Sequence, residues 1–322
     1  MKQTAILISF IFLLSLKANS QTNFFNFKEI KLKKKYKDIS RLGKYRYDSI
    51  SYTKVKNQKK HSFFQFNYNS DSLIVEGYMC KPTHITTKKY PIIIYNRGGT
   101  GNFGKLSIED FPDFYSLARH GFIVVASNYR YVGKKGKYDQ IAGNDIDDVI
   151  NLYKLVIKLN YIDSNNVFMM GISRGGLMTY KSLSKITINA AAVIGGVANF
   201  KAGIKKRPIF LNGWDDLSDD KNYLGLRNIL PNFEKKKEFY FQERNALVWA
   251  NKIKTPIYIL HSRQDGQVNV TQALTMASKL QALNKKYKLK IYDKKSHSLP
   301  YSKFDSFDEI IHWFKTHIKK ND

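Results

Sequence analysis

The chain has 322 residues, of which 43% are apolar and 14% aromatic, so it can bury a sizeable core and is not an intrinsically disordered protein. Its formal net charge of +28 comes mainly from scattered lysines, with ten arginines among 54 basic residues. Proteins that bind nucleic acid rely on the planar arginine guanidinium, so no nucleic-acid partner is expected. We interpret the one dense run, Lys31–Lys37, as a solvated basic face, and the positive charge favours acidic surfaces or substrates.

The first twenty residues have the features of a secretory signal peptide. Lys2 gives a short positive start, residues 5–16 form an apolar segment, and the small residues 18–20 precede Gln21. The apolar segment is shorter than the ~20 residues that a membrane-spanning helix needs. We therefore expect an exported protein, periplasmic or secreted, whose mature chain begins near Gln21 and has no stable membrane span.

Cysteine and histidine content limits the chemistry that this chain can use. Cys80 is the only cysteine, so no internal disulfide can form. The seven histidines show no HExxH motif and no clustered spacing. The sequence therefore indicates neither a metal site nor a cofactor.

The apolar pattern divides the chain after its first sixty residues. Residues 21–60 are polar, lysine-rich and weakly periodic, and we predict a poorly defined N-terminal lead-in there. Residues 63–82 alternate in polarity around an Asn-Ser-Asp-Ser turn, which predicts a β-hairpin. Predicted strands then follow at 90–96, 121–128, 167–170, 190–196, 256–262 and 289–293, and predicted helices at 145–159, 176–185 and 306–320.

This alternation of strands and helices predicts an α/β fold. Its central sheet is mostly parallel, with helices on both faces and an antiparallel start. Ser306 and Glu309 are spaced as a capping box at the start of the last helix. In such sheets, catalytic residues gather at the carboxyl ends of the strands. We place the catalytic domain at residues 61–322, which contain the predicted hairpin, strands and helices.

Three polar residues follow three predicted strands in the order serine, aspartate, histidine. Ser173 lies in Gly171-Ile172-Ser173-Arg174-Gly175, between a strand and a helix, as in a nucleophile elbow. Asp265 and His297 come just after the strands at 256–262 and 289–293. This is the order found in the α/β-hydrolase fold, with His297 as the base and Asp265 orienting it. We interpret the other six histidines as structural.

A serine nucleophile also needs donors for the oxyanion that forms during acyl transfer. The N–H of Arg174, directly after Ser173, is the first candidate. The glycine-rich loop at 95–104 supplies the second, with Gly99 preferred over Gly98. A phosphate-binding loop is the rival interpretation, but this loop lacks the GxxxxGK[ST] spacing.

These motifs resemble the catalytic domain of the prolyl oligopeptidase-like family of serine hydrolases. The resemblance runs from about Ser51 to the C-terminus and includes "EGYMCKP", "PIIIYNRGG", "GNDIDDVINL", "YIDSNNVFMMGISRGGLMT", "ERNALVWANKIKTPIYILHSRQDGQV" and "SHSL". It implies the same nucleophile, acid and base: Ser173, Asp265 and His297. Large peptidases of the family also carry a gating β-propeller, and we expect this chain to lack one.

The sequence departs from the family pattern at several positions near the site. Asn96-Arg97 stands where the family usually has a histidine before the glycine pair, Thr100 replaces a proline, and "HSRQD" lacks the glycine after the strand-end histidine. These departures affect the oxyanion donor and the wall of the binding site. Residues 197–251 are expected to form an insertion or lid whose Trp214, Tyr240 and Phe241 contact substrate. Ordinary helical packing at the sheet edge is the alternative.

Three functions follow from this pattern. The first is an exported serine peptidase that cleaves peptide bonds through an acyl-enzyme, with the peptidase activity implied by the resemblance. The second keeps the mechanism but acts on small acyl esters or acylated carbohydrates. The third is a catalytically inactive hydrolase fold that binds polyanions. The complete set of serine, aspartate and histidine argues against this third function.

Overall fold

A computed structural model of the protein describes residues 24–214 and 223–320. The predicted signal peptide at 1–20 lies outside the described residues, as does its cleavage site before Gln21. Nine strands in the described residues pair into one sheet. In chain order the strands are β1 (Phe24–Ile30), β2 (His61–Ser70), β3 (Leu73–Pro82), β4 (Tyr90–Asn96), β5 (Ile123–Ser127), β6 (Ile162–Ile172), β7 (Ala190–Ile194), β8 (Ile257–Ser262) and β9 (Tyr287–Tyr292).

The described residues also form α-helices, most of them between consecutive strands. In chain order they are α1 (Arg41–Arg46), α2 (Ser49–Asn57), α3 (Phe111–Ala118), α4 (Ile146–Val156), α5 (Arg174–Leu183), α6 (Phe200–Ile204), α7 (Ile209–Asn212), α8 (Leu226–Ile229), α9 (Phe233–Gln242), α10 (Ala246–Trp249), α11 (Thr271–Ala282) and α12 (Ser306–Lys315).

The sheet order is β1-β2-β3-β5-β4-β6-β7-β8-β9. Strands β1, β2, β3 and β5 pair antiparallel, and every pair from β5 to β9 is parallel. This arrangement confirms the predicted α/β-hydrolase fold with an antiparallel start. The switch of direction at β5 leaves β4 and β6 in the middle of the sheet, where both faces are covered.

Side chains of β4 show how the two faces are filled. Ile92 and Ile94 pack into one core cluster together with residues of α4, α5 and α11. Ile93 and Tyr95, which point to the opposite face, pack into a second cluster with residues of α3 and α12. Continuous β-branched runs such as residues 92–94 therefore form strands buried on both faces, as expected for parallel sheets.

The predicted polar lead-in contains regular structure. β1 pairs antiparallel with β2, and the segment that contains α1 and α2 buries Tyr47 and Tyr52 against the core. β1 is an edge strand, and only residues at its two ends are half-buried. A strand with so little burial has no alternation of polarity that sequence analysis could detect. Residues 24–57 thus form part of the packed structure.

The start of α12 differs from the sequence prediction. The predicted capping box of Ser306 and Glu309 is wrong, because Asp305 is the N-cap residue and makes no side-chain capping bond. Ser306 Oγ donates instead to the carbonyl of Leu299 at 2.6 Å. Glu309 accepts bonds from Tyr258 and Lys290 across the helix–sheet interface. Tertiary contacts have therefore replaced the local cap.

Two kinds of architecture are missing from residues 24–214 and 223–320. No helix there is both long enough and apolar enough to cross a lipid bilayer. The strands there belong to the single sheet, so no β-propeller is present. Cys80 lies in β3 with none of its surface exposed, and burial raises the pKa of its thiol.

Candidate active site

The turn after β6 holds Ser173 in a strained backbone conformation. Ser173 has φ 60° and ψ −122°, and it directly precedes α5. The two flanking glycines are required by close backbone approach. A Cβ added to Gly171 would lie 2.0 Å from the carbonyl oxygen of Gly175, and one added to Gly175 would lie 2.0 Å from that of Asn96. Strain at a non-glycine residue in this region is typical of a nucleophile elbow.

Asp265 and His297 form a hydrogen-bonded pair at the neighbouring strand ends. Asp265 follows β8, His297 follows β9, and His297 Nδ1 donates to Asp265 Oδ2 at 2.8 Å. The aspartate side chain is fully buried, whereas 13% of the histidine side chain is exposed. Because Nδ1 is held by the carboxylate, Nε2 is the nitrogen available to exchange a proton with a substrate or with Ser173.

The loop around Asp265 favours the ionised carboxylate. Its Oδ1 accepts the backbone N–H groups of Gln267 at 2.7 Å and Val268 at 3.0 Å. Burial alone would raise the pKa of Asp265, but the bond from His297 and these two backbone bonds outweigh it and lower the pKa. The site therefore keeps a negative charge beside the imidazole, where it stabilises an imidazolium ion.

A second histidine lies behind the same carboxylate. His261, at the end of β8, is fully buried, with Nε2 3.4 Å from Asp265 Oδ2. Its Nε2 donates to the carbonyl of Val268 at 2.9 Å. Burial lowers the pKa of His261, which favours its neutral form, and the ring packs against the loop that carries Asp265. That role agrees with its interpretation as structural.

The Asp265–His297 pair lies beside the turn that carries Ser173. The Ser173 N–H donates to the carbonyl of Ile194 at 2.9 Å, at the end of β7. A Cβ added to the next residue, Gly195, would lie 3.4 Å from His297 Nδ1 and 3.2 Å from Asp265 Oδ2. Ser173 also lines a cavity.

The three residues predicted to donate oxyanion N–H groups lie near Ser173. Arg174 is the first residue of α5, so its N–H has no acceptor within the helix. A Cβ added to Gly98 would lie 3.3 Å from Ser173 Cβ, and Gly99 lines the cavity together with Ser173. The structure thus brings the three predicted oxyanion residues next to the serine.

The buried side chain of Arg97 holds the loop that carries these glycines. Its guanidinium donates to the carbonyl oxygens of Gly98 at 2.9 Å, Gly101 at 3.0 Å and Phe103 at 3.2 Å, and to Asn128 on the neighbouring segment. Burial and the nearby charge of Arg174 lower its pKa to about 10. Arg97, which departs from the family pattern, therefore fixes the loop through its backbone.

The side chain of Arg174 also bonds to that loop. It donates to the carbonyl of Gly99 at 2.8 Å and forms buried ion pairs with Asp139, at 3.0 Å, and with Asp145. Both guanidinium groups lie close to the ring of Tyr129, with that of Arg97 5.0 Å and that of Arg174 4.7 Å from the ring centroid. Burial favours the neutral form of Arg174, but the two aspartates outweigh this and raise its pKa.

The cavity next to Ser173 has a volume of about 260 Å³ and mostly apolar walls. Part of the predicted insertion at 197–251 forms one side of it, chiefly α6 and the chain that follows. The residues that line the cavity include Phe200, Arg207, Phe210, Gln267 and Val268. The cavity has the dimensions and character of a binding site for an apolar side chain.

The three aromatic residues predicted to contact substrate do not line this cavity. Trp214 packs on Tyr223 with ring centroids 4.9 Å apart. Tyr240 lines a different cavity of about 480 Å³, and its hydroxyl donates to the carbonyl of Pro231. Phe241 is buried in the small core of the insertion. Aromatic content indicated burial in this segment, but it could not indicate which way each ring points.

Several residues of the site were not identified from the sequence. Phe200, Arg207 and Phe210 lie in a segment without clear periodicity, so no pattern marked them. Val268 could have been found, since it follows Asp265 by three residues and caps its carboxylate. The buried partners of Arg174 are far apart in sequence from it, and only the fold brings them together.

A comparison of the sequence with protein-family models identifies the family of this chain. Residues 110–321 match the model of the prolyl oligopeptidase family, which covers more than half of the chain. The chain belongs to the prolyl oligopeptidase family. It is therefore a serine hydrolase, and family membership confirms the resemblance inferred from its motifs.

Curated relatives are about a quarter identical to this family member over the residues that align. An uncharacterized peptidase of Bacillus subtilis, YtmA, is 25% identical over 236 residues, which cover 72% of this chain and 85% of the relative. Acylamino-acid-releasing enzyme 1 of Oryza sativa is 27% identical over 65% of this chain. That match covers only 29% of the rice enzyme, so the chain corresponds to a part of the larger relative.

Solved structures show the same fold. An acylaminoacyl peptidase of Pyrococcus horikoshii superposes with a TM-score of 0.63 and 22% identity, over 83% of this chain and 43% of that one. An acetyl xylan esterase from Paenibacillus sp. R4 gives a TM-score of 0.61 and 14% identity, over 81% of this chain and 86% of that one. At these identities the likeness concerns the fold alone.

Proposed function

We propose that the protein is an exported serine peptidase that cleaves peptide bonds through an acyl-enzyme, with Ser173, Asp265 and His297 as its catalytic triad. The observation that carries this proposal is the 2.8 Å bond from His297 to the buried Asp265 beside the strained turn of Ser173. Family membership supports the serine peptidase class.

The first half-reaction forms an ester with the enzyme. Ser173 Oγ attacks the carbonyl carbon of the substrate while His297 Nε2 accepts the hydroxyl proton. The carbonyl oxygen becomes an oxyanion and accepts hydrogen bonds from the N–H of Arg174 and from Gly99 or Gly98. His297 then gives its proton to the leaving amine nitrogen, the C–N bond breaks, and the acyl group remains on Ser173.

The second half-reaction uses water. His297 Nε2 accepts a proton from the water molecule as its oxygen attacks the ester carbon. The bond to Ser173 Oγ breaks, the proton returns from His297 to Ser173 Oγ, and a carboxylic acid leaves. Asp265 stays ionised throughout and stabilises the imidazolium form of His297 in both halves.

The test uses the purified mature protein and Ser173→Ala as its control. We expect wild-type protein to hydrolyse acetyl-phenylalanine p-nitroanilide and the Ser173→Ala variant to lose all but background activity. A fluorophosphonate probe should label Ser173, and labelling should be lost in His297→Ala. An unlabelled protein without amide turnover would favour the inactive binding protein.

An esterase is the second candidate. It is supported by the fold of the acetyl xylan esterase, 86% of which this chain covers. Peptide and ester cleavage need the same triad, so substrate preference decides between them. Turnover of p-nitrophenyl acetate without any turnover of the anilide would favour the esterase.

Export is proposed from the sequence of residues 1–20. Expression of the full chain in a host with a secretion pathway tests this. We expect the extracytoplasmic protein to begin at or near Gln21 by N-terminal sequencing. A cytoplasmic protein that keeps residue 1 would contradict the proposal.

A further inference from the structure

The described residues that line the cavity next to Ser173 carry positive charge. Arg174, Lys206 and Arg207 are the charged residues that line it, and no aspartate or glutamate among the described residues does so. The charge of Arg174 is matched by its buried ion pairs with Asp139 and Asp145. The charges of Lys206 and Arg207, which lie between α6 and α7, are therefore available to attract a ligand in the cavity.

Arg207 is half-buried and held in place at the wall of the cavity. Its Nη1 donates to Gln267 Oε1 at 2.6 Å, and its guanidinium lies 5.0 Å from the ring centroid of Phe210. It forms no salt bridge with any carboxylate of residues 24–214 and 223–320. The bond to Gln267, whose own N–H donates to Asp265, places this cation near the Asp265–His297 pair. Burial lowers the pKa of Arg207, and the charge of Asp265 opposes that shift.

Asp265 does not satisfy this guanidinium. Both of its oxygens are already engaged, one by His297 and the other by two backbone N–H groups. Arginine remains charged at any physiological pH, and its planar group presents several donors to a carboxylate. The N–H donors that do not bond to Gln267 are therefore available to a ligand.

The chemistry of the ligand follows from these neighbours. Apolar walls suit a large apolar side chain, and the guanidinium suits a carboxylate attached close to it. A protonated amino group at the same place would be repelled by Lys206 and Arg207 and would find no carboxylate among the described lining residues.

We propose that Arg207 is a specificity-determining residue that binds a carboxylate on the acyl part of the substrate, next to a large apolar side chain in the cavity. This inference rests on the proposed peptidase function and goes further, because it names the substrate class. It predicts a preference for acyl groups with negative charge over neutral ones and over those with a free amino group.

The experiment compares two substrates that differ only in charge. Succinyl-phenylalanine p-nitroanilide carries a free carboxylate, and the methyl ester of that succinyl group is neutral and nearly the same size. We expect wild-type kcat/KM to be about 10- to 100-fold higher for the charged substrate, as for a charge-assisted hydrogen bond. The ratio should fall to near 1 in Arg207→Gln and stay intermediate in Arg207→Lys.

Lys205→Gln is the matched control, because Lys205 is an exposed neighbour that does not line the cavity. It removes the same charge and should leave the substrate ratio as in wild type. Thermal unfolding of each variant separates misfolding from lost recognition. Equal rates on the two substrates in wild type, or an unchanged ratio in Arg207→Gln, would overturn the proposal.

A binding measurement separates this inference from the proposed function. Calorimetric titration of Ser173→Ala with succinyl-phenylalanine amide and with the methyl ester of its succinyl group measures recognition without turnover. Tighter binding of the charged amide, lost on adding Arg207→Gln, supports the inference even if no anilide is cleaved. Amide turnover with equal binding of both ligands would support the peptidase and overturn the role of Arg207.

Discussion

Asp265 is the residue at which the interactions of the site converge. It bonds to His297, to two backbone N–H groups of its own loop, and it lies 3.4 Å from the buried His261. A single carboxylate thus orients the imidazole and also holds the loop after β8. Since its pKa is lowered, its contribution to stability is present above its unfolded pKa and is lost as pH falls through the folded pKa.

We predict that Asp265→Asn lowers kcat/KM by about 10⁴-fold, because an amide cannot stabilise the imidazolium and can fix the wrong tautomer. The measurement is steady-state hydrolysis of acetyl-phenylalanine p-nitroanilide, with thermal unfolding to show that the variant folds. Asp293→Asn, at a largely exposed aspartate in the loop before His297, is the control and should keep wild-type rates. A loss of less than tenfold would contradict the assigned role.

At the scale of elements, two arginines position the loop after β4. Arg97 binds the carbonyl oxygens of Gly98, Gly101 and Phe103, and Arg174 binds that of Gly99. When its carbonyl groups are fixed in this way, the N–H groups of the loop are fixed as well. Oxyanion donors need such preorganisation, because they act only if they already point at the developing charge.

We predict that Arg97→Lys lowers kcat by about 100-fold with little change in KM. Lysine cannot bond to four separate carbonyl oxygens, so the loop loses its geometry, and oxyanion stabilisation appears mainly in kcat. The measurement is kcat and KM on the same anilide, with Arg119→Lys, at a partly exposed helix end, as the control. An increase in KM at unchanged kcat would show that the loop contributes binding instead.

The elements also show what could be predicted from the sequence. The strands before Ser173 and Asp265 have strong apolar runs, and β9, before His297, alternates apolar residues with lysines. Each catalytic candidate lies in the loop that follows its strand, so the order of the three residues and their places at strand ends could be predicted. The edge strand β1 was missed, because a strand with one open edge and little burial has no alternation to detect. The roles of Arg97 and Arg207 depend on contacts between distant segments, which no local pattern encodes.

At the scale of the whole molecule, a buried ion cluster links the N-terminal segment, residues 24–57, to the core. Arg46, at the end of α1, lies 2.7 Å from Asp110 and 2.8 Å from Asp113 at the start of α3. Burial raises the pKa of Asp113 to about 6, although Arg46 opposes that shift. A carboxyl group whose pKa is higher in the folded than in the unfolded protein lowers the free energy of unfolding most at pH values above its folded pKa. This destabilisation disappears as the pH falls to the pKa of the group in the unfolded chain.

We predict that Arg46→Met lowers the free energy of unfolding by about 3 kcal/mol at pH 8, because it leaves buried carboxylates without their cation. The deficit should be smaller at pH 5, where Asp113 binds a proton more readily once Arg46 is gone. Urea unfolding at the two pH values measures this, with Lys44→Met on the exposed face of α1 as the control. Equal deficits at pH 5 and pH 8 would contradict the prediction.

The burial of Cys80 in β3 has a practical consequence for work in solution. Since it is the single thiol of the chain and no solvent reaches it, the folded protein should not react with maleimide dyes. A Lys205→Cys variant would then take up one fluorophore, next to α6. A change in its fluorescence would report in real time that a ligand has bound in the cavity next to Ser173, whether or not any bond is cleaved.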